Sequence, residues 1–151
     1  MVISFDAKQL EEKFTEAEES LLDSNNAKNL CYDNYDCTTF DDLNQDFLGE
    51  ISQKSVVYCI WTGNEKKNLQ PRYIGHVAGK YSRQRMRNHL AKKHKKTGAQ
   101  LKNTMTSLAN KEIVAVSYLV TEPHYMRKAL EDWLIAKHCD RLTWNKAGKT
   151  K

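Results

Sequence analysis

The alternation of apolar and polar positions divides the 151-residue chain into an acidic, helical front and a mixed strand-and-helix remainder. Over 6–23, Leu10, Phe14, Ala17, Leu21 and Leu22 recur at helical spacing with acids on the other face, which predicts an amphipathic helix with Asp6 as its N-cap. Residues 24–46 have little periodicity and read as loop and turn. Phe40, Leu43 and Phe47 share a face, predicting a short helix near 39–48 that Gly49 ends. Residues 55–61 are β-branched and aromatic, a strand signature. A polar loop over 62–71, with Gly63 and Asn64 as its turn signal, leads to a second strand over 72–77, and the two pair as a hairpin. Ser82 caps a helix running to about 93, with Met86 and Leu90 on its apolar stripe. Gly98 separates it from a helix over 99–109, where Leu101, Met105 and Leu108 align. The stretch 112–121, dense in Val, Ile and Tyr, is the clearest strand. Thr121, Glu122 and Pro123 then open a last helix to about 138, with proline in the first turn and Met126, Leu130, Trp133 and Leu134 buried.

Hydrophobic residues make up 40% of the chain, enough for it to fold as one domain with a core. The organisation expected is an acidic, mainly helical extension over 1–54, a core domain over 55–146 and a frayed tail over 147–151. The longest apolar runs are far short of a membrane span, and the first residues lack a secretory signal's basic flank, so a cytoplasmic protein with no membrane partner is expected. Export without a cleaved signal stays open. The four cysteines match no zinc spacing and read as free thiols, with Cys31 and Cys37 the one pair worth checking.

Net charge is +5, but residues 1–50 hold thirteen acids against Lys8, Lys13 and Lys28, a net −10, which leaves +15 on the rest. A compact segment so basic points to a polyanion partner. The bases cluster around the 82–93 helix: Lys80, Arg83, Arg87, Lys92, Lys93, Lys95 and Lys96 form a phosphate-contact surface, or else a solvated basic face. Arg85 and His89 are four apart and share one face of that helix. An arginine's planar fork suits phosphate oxygens. Glu131 falls among the apolar residues of the last helix, where a carboxylate needs a metal or a partner such as Arg127 or Lys128. Tyr58 and Tyr73 sit mid-strand; they are ordinary cross-strand aromatics, or phenols whose proton affinity nearby cations lower enough for base catalysis.

The triplet Val56, Val57, Tyr58 resembles the GIY element of the GIY-YIG nuclease family, with Val56 in place of the usual glycine, and Tyr73, Ile74, Gly75 matches the YIG element unchanged. Arg85 followed by His89, then Glu131, then Asn145, completes the family's order over 55–146. The resemblance implies an α/β (α+β) fold with a three-stranded antiparallel sheet flanked by helices. It also implies hydrolysis of DNA phosphodiesters with one Mg2+ or Mn2+ ion. Glu131 would ligate the ion, Tyr58 would be the general base, and Tyr73 and His89 would assist with water or phosphate. Arg85 would neutralise phosphoryl charge and Asn145 would help fix the site. His76 replaces a lysine common after the YIG glycine, which implies a weaker or pH-dependent phosphate contact.

The leading expectation is therefore a stand-alone, metal-dependent DNA endonuclease, restriction-like or toxin-like. The alternative is a nucleic-acid binder that keeps the scaffold without cutting. For the acidic segment, several roles stay open: a cover that competes with DNA for the basic face, a site for a regulatory partner, an ordinary packed helical extension, or a homodimer contact.

Overall fold

The structure is a computed structural model that describes residues 1–34, 39–91 and 100–145. Among these residues the chain forms α1 (Lys8–Leu21), β1 (Lys28–Asn29), α2 (Phe40–Leu43), α3 (Gln45–Ile51), β2 (Val56–Gly63), β3 (Gln70–Val77), α4 (Ser82–Leu90), α5 (Leu101–Ala109), β4 (Ile113–Val120) and α6 (Met126–Lys137). The strands make one antiparallel sheet in the order β1-β4-β2-β3. The expected α/β class holds, with four strands where three were expected. The added strand comes from the acidic front of the chain, where Lys28 pairs with Val116 and Asn29 with Ala115. Two residues are too few to show the period-2 alternation that marks a strand in sequence.

β2 runs between β4 and β3, and all eight of its positions are buried. A strand covered on both faces is apolar without alternation, yet its side chains still project alternately. Val56, Tyr58 and Ile60 enter one core with Phe40, Phe47, Leu48 and Ile51 of α2 and α3 and with Met86 and Leu90 of α4. Val57, Cys59 and Trp61 enter the opposite core with Phe14 and Leu21 of α1 and Leu130, Leu134 and Ile135 of α6. The first 54 residues thus supply apolar side chains to both faces of the sheet. Burying each large one stabilises the fold by about 1.5–3 kcal/mol.

Several local expectations are corrected. The helix near 39–48 is two helices parted at Asn44, whose side-chain amide accepts from the Cys31 amide (2.9 Å) and donates to the carbonyls of Cys31 (2.8 Å) and Phe40 (2.9 Å). Gly49 lies inside α3, which continues to Ile51. Ser82 is the first residue of α4 rather than its cap, and its hydroxyl donates to Ile51 O at 2.7 Å, stitching α4 to α3. Pro123 precedes the last helix, which starts at Met126 after a turn closed by Met126 N–H on Pro123 O at 3.0 Å. Asp6 lies one residue before the N-cap position yet still accepts the Lys8 amide at 3.1 Å. The expected continuation of the 82–93 helix past Ala91, Cys37 and the 147–151 tail lie outside the described residues. Cys31, Cys59 and Cys139 are free. Among the described residues no helix is long and apolar enough to cross a membrane.

Candidate active site

Hairpin register assembles the first part of the site. Tyr58 on β2 faces Gly75 on β3, and Ile60 faces Tyr73, so the two tyrosines are diagonal neighbours on one face. Their ring centroids are 6.1 Å apart. Met86 and Leu90 seat α4 in the core beneath that face, and the same helix delivers His89 to both phenols, at 6.3 Å from Tyr58 and 5.8 Å from Tyr73. Tyr58 is fully buried, Tyr73 is partly buried and His89 is 1% exposed. Among the described residues neither ring nitrogen of His89 has a hydrogen-bond partner. An enclosed polar group left unpaired is rare enough to call for a functional reason.

The charges converge on the same place. Burial pushes Tyr58 well above the ordinary phenol range; Tyr73 and Glu131 add to this while Arg85 opposes it. Burial and then Glu131 raise Tyr73, again against Arg85. His89 is brought down to about 4 by burial and by Arg85, so its imidazole is neutral near pH 7. Glu131 on α6 is raised to about 7, by burial first and then by Asp132, with Arg85, the His76 amide and Lys128 pulling the other way. His76 is lowered by burial, Arg127, Arg85 and Lys128. Its Nε2 lies 3.9 Å from Glu131 Oε2, the outer limit of an ion pair. Arg85 is thus within electrostatic reach of all five groups: Tyr58, Tyr73, His76, His89 and Glu131.

A cavity of about 480 Å³ opens where α4, the end of β3 and the start of α6 meet, lined by His76, Tyr81, Gln84, Arg85, Asn88 and Arg127 among others. Of the site residues expected from sequence, Arg85 and His76 line this space, whereas Tyr58, Tyr73, His89 and Glu131 do not. Among the described residues no three potential ligands cluster, so a divalent ion here would rest on Glu131 alone with water completing its shell. One carboxylate and several retained waters suit Mg2+. The fit is electrostatic too, because Glu131 is a largely enclosed carboxylate, 17% exposed, that its neighbours do not neutralise.

Asn145 stands apart from the reacting groups. Its side chain accepts the Ile74 amide at 2.8 Å and donates to the Ile74 carbonyl at 2.9 Å, and Trp144 N–H bonds Arg72 O at 2.9 Å. This segment closes the outer edge of β3 on either side of Tyr73. Lys80 and Arg83 are exposed, and the Lys80 ammonium lies 5.5 Å from the Tyr81 ring. Arg87 is engaged, its guanidinium 2.9 Å from Asp41 of α2, so the expected phosphate contact there competes with an internal partner. Lys92, Lys93, Lys95 and Lys96 lie outside the described residues.

The acidic front of the chain makes dispersed contacts: Asp41 with Arg87, Glu50 with Lys28 and Tyr118, and Glu18 with Lys137 and His138. Glu131 makes no ion pair with Arg127 or Lys128, the partners considered from sequence; Arg127 instead donates to the His124 carbonyl at 2.7 Å. Arg127 is the cavity residue that sequence reasoning missed as functional. The available signal was its position four residues before Glu131, on the same helix face. Comparison of the chain with protein-family models, curated proteins and solved structures found no match.

Proposed function

We propose that the chain is a divalent-metal-dependent DNA endonuclease of the GIY-YIG type, acting in the cytoplasm. The support for this is the placement of Arg85, which lines the cavity with His76 and is, among the described residues, the one fixed cation within electrostatic reach of both phenols, both imidazoles and the carboxylate. Phosphodiester hydrolysis needs a positive group where charge develops on the phosphoryl oxygens, and a guanidinium held beside the reacting groups supplies it without reorganisation. Tyr58 serves as the base that takes the proton of the attacking water. Burial keeps this phenol protonated, so its use as a base depends on the positive charge around it, of which Arg85 is the part already present. Tyr73 and neutral His89 orient water and phosphate, since a neutral imidazole offers one donor and one acceptor. Glu131 and its waters would hold the metal ion, which when bound polarises the phosphate and stabilises the leaving oxygen. Asn145 keeps β3, and with it Tyr73, in register.

The test is strand cleavage of a supercoiled plasmid with magnesium or with chelator. The parent nicks the plasmid only with the metal, while Glu131→Gln and Arg85→Ala bind DNA without nicking it. Equal nicking by the Glu131→Gln protein would remove the nuclease assignment. One observation favours a second reading, a nucleic-acid binder that does not cut: the base candidate Tyr58 has no exposed surface. A mobility shift by the parent with no strand breaks in either magnesium or manganese would select it.

A further inference from the structure

Three nitrogen atoms without a hydrogen-bond partner among the described residues belong to side chains that line the same cavity: His76 Nδ1, Arg85 Nε and Arg127 Nε. The two guanidinium nitrogens are donors, while the imidazole nitrogen donates or accepts with the tautomer; enclosed donors are normally paired, and two of them beside one void mark a place for an acceptor. Two of the three belong to guanidinium groups on different helices, Arg85 on α4 and Arg127 on α6. Like charges lining one void repel, and an anion between them converts that repulsion into attraction. Arg127 makes no ion pair among the described residues; its one recorded bond, Nη1 to the His124 carbonyl at 2.7 Å, ties it to the turn before α6. The remaining donors of its fork are left for a ligand.

We infer that Arg127 is a substrate-positioning residue that holds the backbone phosphate next to the scissile one, so that Arg85 and Arg127 together grip two successive phosphates of one strand. This assignment rests on the nuclease function proposed above. The division of labour follows from reach. Arg85 acts on both phenols, on His89 and on Glu131 as well as on His76, whereas Arg127, on the other helix, acts on His76 and on none of the reacting groups. A cation beside the reacting groups serves the phosphate being cut. The other guanidinium, on α6 and lining the same cavity of about 480 Å³, then serves the neighbour along the strand. The four-residue step from Arg127 to Glu131 fixes the second phosphate relative to the carboxylate, because both project from one face of α6.

The experiment uses the full chain and an oligonucleotide duplex containing its mapped cleavage position. A single neutral methylphosphonate replaces each neighbouring phosphate in turn. Arg127→Gln raises KM about 10- to 100-fold, the worth of one hydrogen-bonded charge contact, and leaves kcat within about twofold. Arg127→Lys recovers part of the loss, showing that the helix is intact and that charge matters. One methylphosphonate position raises the parent's KM by a similar factor and adds nothing to the Arg127→Gln loss, because both changes remove the same contact. Unchanged KM in Arg127→Gln, or losses that multiply at every position, overturns the clamp while parental cutting stands. If the parent binds the duplex but never cuts it, the nuclease reading fails alone; the methylphosphonate is then walked along the whole duplex, and the same non-additivity, read in Kd with chelator present, still decides whether Arg127 holds a phosphate.

Discussion

Gly75 and Tyr58 face each other across the hairpin so closely that a Cβ on Gly75 would lie 2.5 Å from the Tyr58 hydroxyl oxygen and 2.9 Å from the Tyr73 ring. Real side chains do not approach that closely, and Tyr58 has no exposed surface into which it could swing. Both phenols therefore owe their positions to a missing methyl group. Gly75→Ala is expected to cost about 1–3 kcal/mol, the usual effect of overfilling a packed core, and to displace the ring pair. Denaturant midpoint and plasmid nicking measure the two effects together. Unaltered stability and cleavage would mean that the rings are not held by this contact.

Asn145 tests whether β3 is held from outside. Losing both of its bonds leaves the amide and carbonyl of Ile74 unpaired in a buried place, so Asn145→Ala is expected to destabilise by about 2–4 kcal/mol. Asn145→Asp keeps the acceptor for the Ile74 amide but sets a second oxygen against the Ile74 carbonyl, so it rescues little. Loss of cleavage at full stability in either variant would instead place Asn145 on the substrate.

His89 gives stability a defined pH dependence. Its folded pKa is about 4 and its unfolded value about 6.5. Above pH 6.5 both states are neutral, so it adds no pH dependence there. Between pH 6.5 and about 4 the unfolded chain takes up a proton that the folded protein refuses, and stability falls as pH drops, by up to roughly 1.4 kcal/mol per pH unit. Glu18 acts lower. Burial alone would raise it, but hydrogen bonds and charges from His138 and Lys137 bring it below the ordinary carboxylate value, so its contribution is present above about pH 4.5 and fades further down. Urea titrations of parent and His89→Gln from pH 7.5 to 4.5 separate the two. The variant flattens the upper window, and parallel curves would show that His89 is already protonated in the fold.

What the sequence reveals, and what it hides, follows from the range of each interaction. β2 and β4 are legible because long apolar runs have one economical use, the middle of a sheet. Tyr58, Tyr73, Arg85 and His89 are legible as a set because a hairpin and the helix after it are local in the chain. β1 is hidden because two residues pair with a strand almost ninety positions away, and only the finished sheet gives them that partner. Asn44 divides a helix by bonding Cys31, thirteen residues back and outside the helical repeat. Arg127 escapes notice because an arginine in a helix's first turn has the sequence signature of an ordinary solvated cation. The cavity it shares with Arg85 exists only once α4 and α6 meet at β3.

The acidic front of the chain cannot be tested by cutting it away, since Phe14, Leu21, Phe40, Phe47, Leu48 and Ile51 all belong to the core. Its influence on DNA has to be read one charge at a time, and Asp41 is the place to do so. Its carboxylate occupies the Arg87 guanidinium at 2.9 Å, and both side chains are partly exposed, 38% and 23%. An ion pair this open contributes about 0–1 kcal/mol to stability, so removing it is cheap. Freeing Arg87 on the helix that carries Arg85 adds one phosphate contact. Asp41→Asn is therefore expected to tighten DNA binding severalfold at low salt and to steepen the dependence of log K on log salt by about one unit. Folding stability changes by less than about 1 kcal/mol. Arg87→Gln in the Asp41→Asn background returns both affinity and slope to the parent's values, because the freed charge is then gone. If Asp41→Asn leaves the salt slope unchanged, Arg87 faces no phosphate, and the DNA path leaves α4 on the side of Lys80 and Arg83.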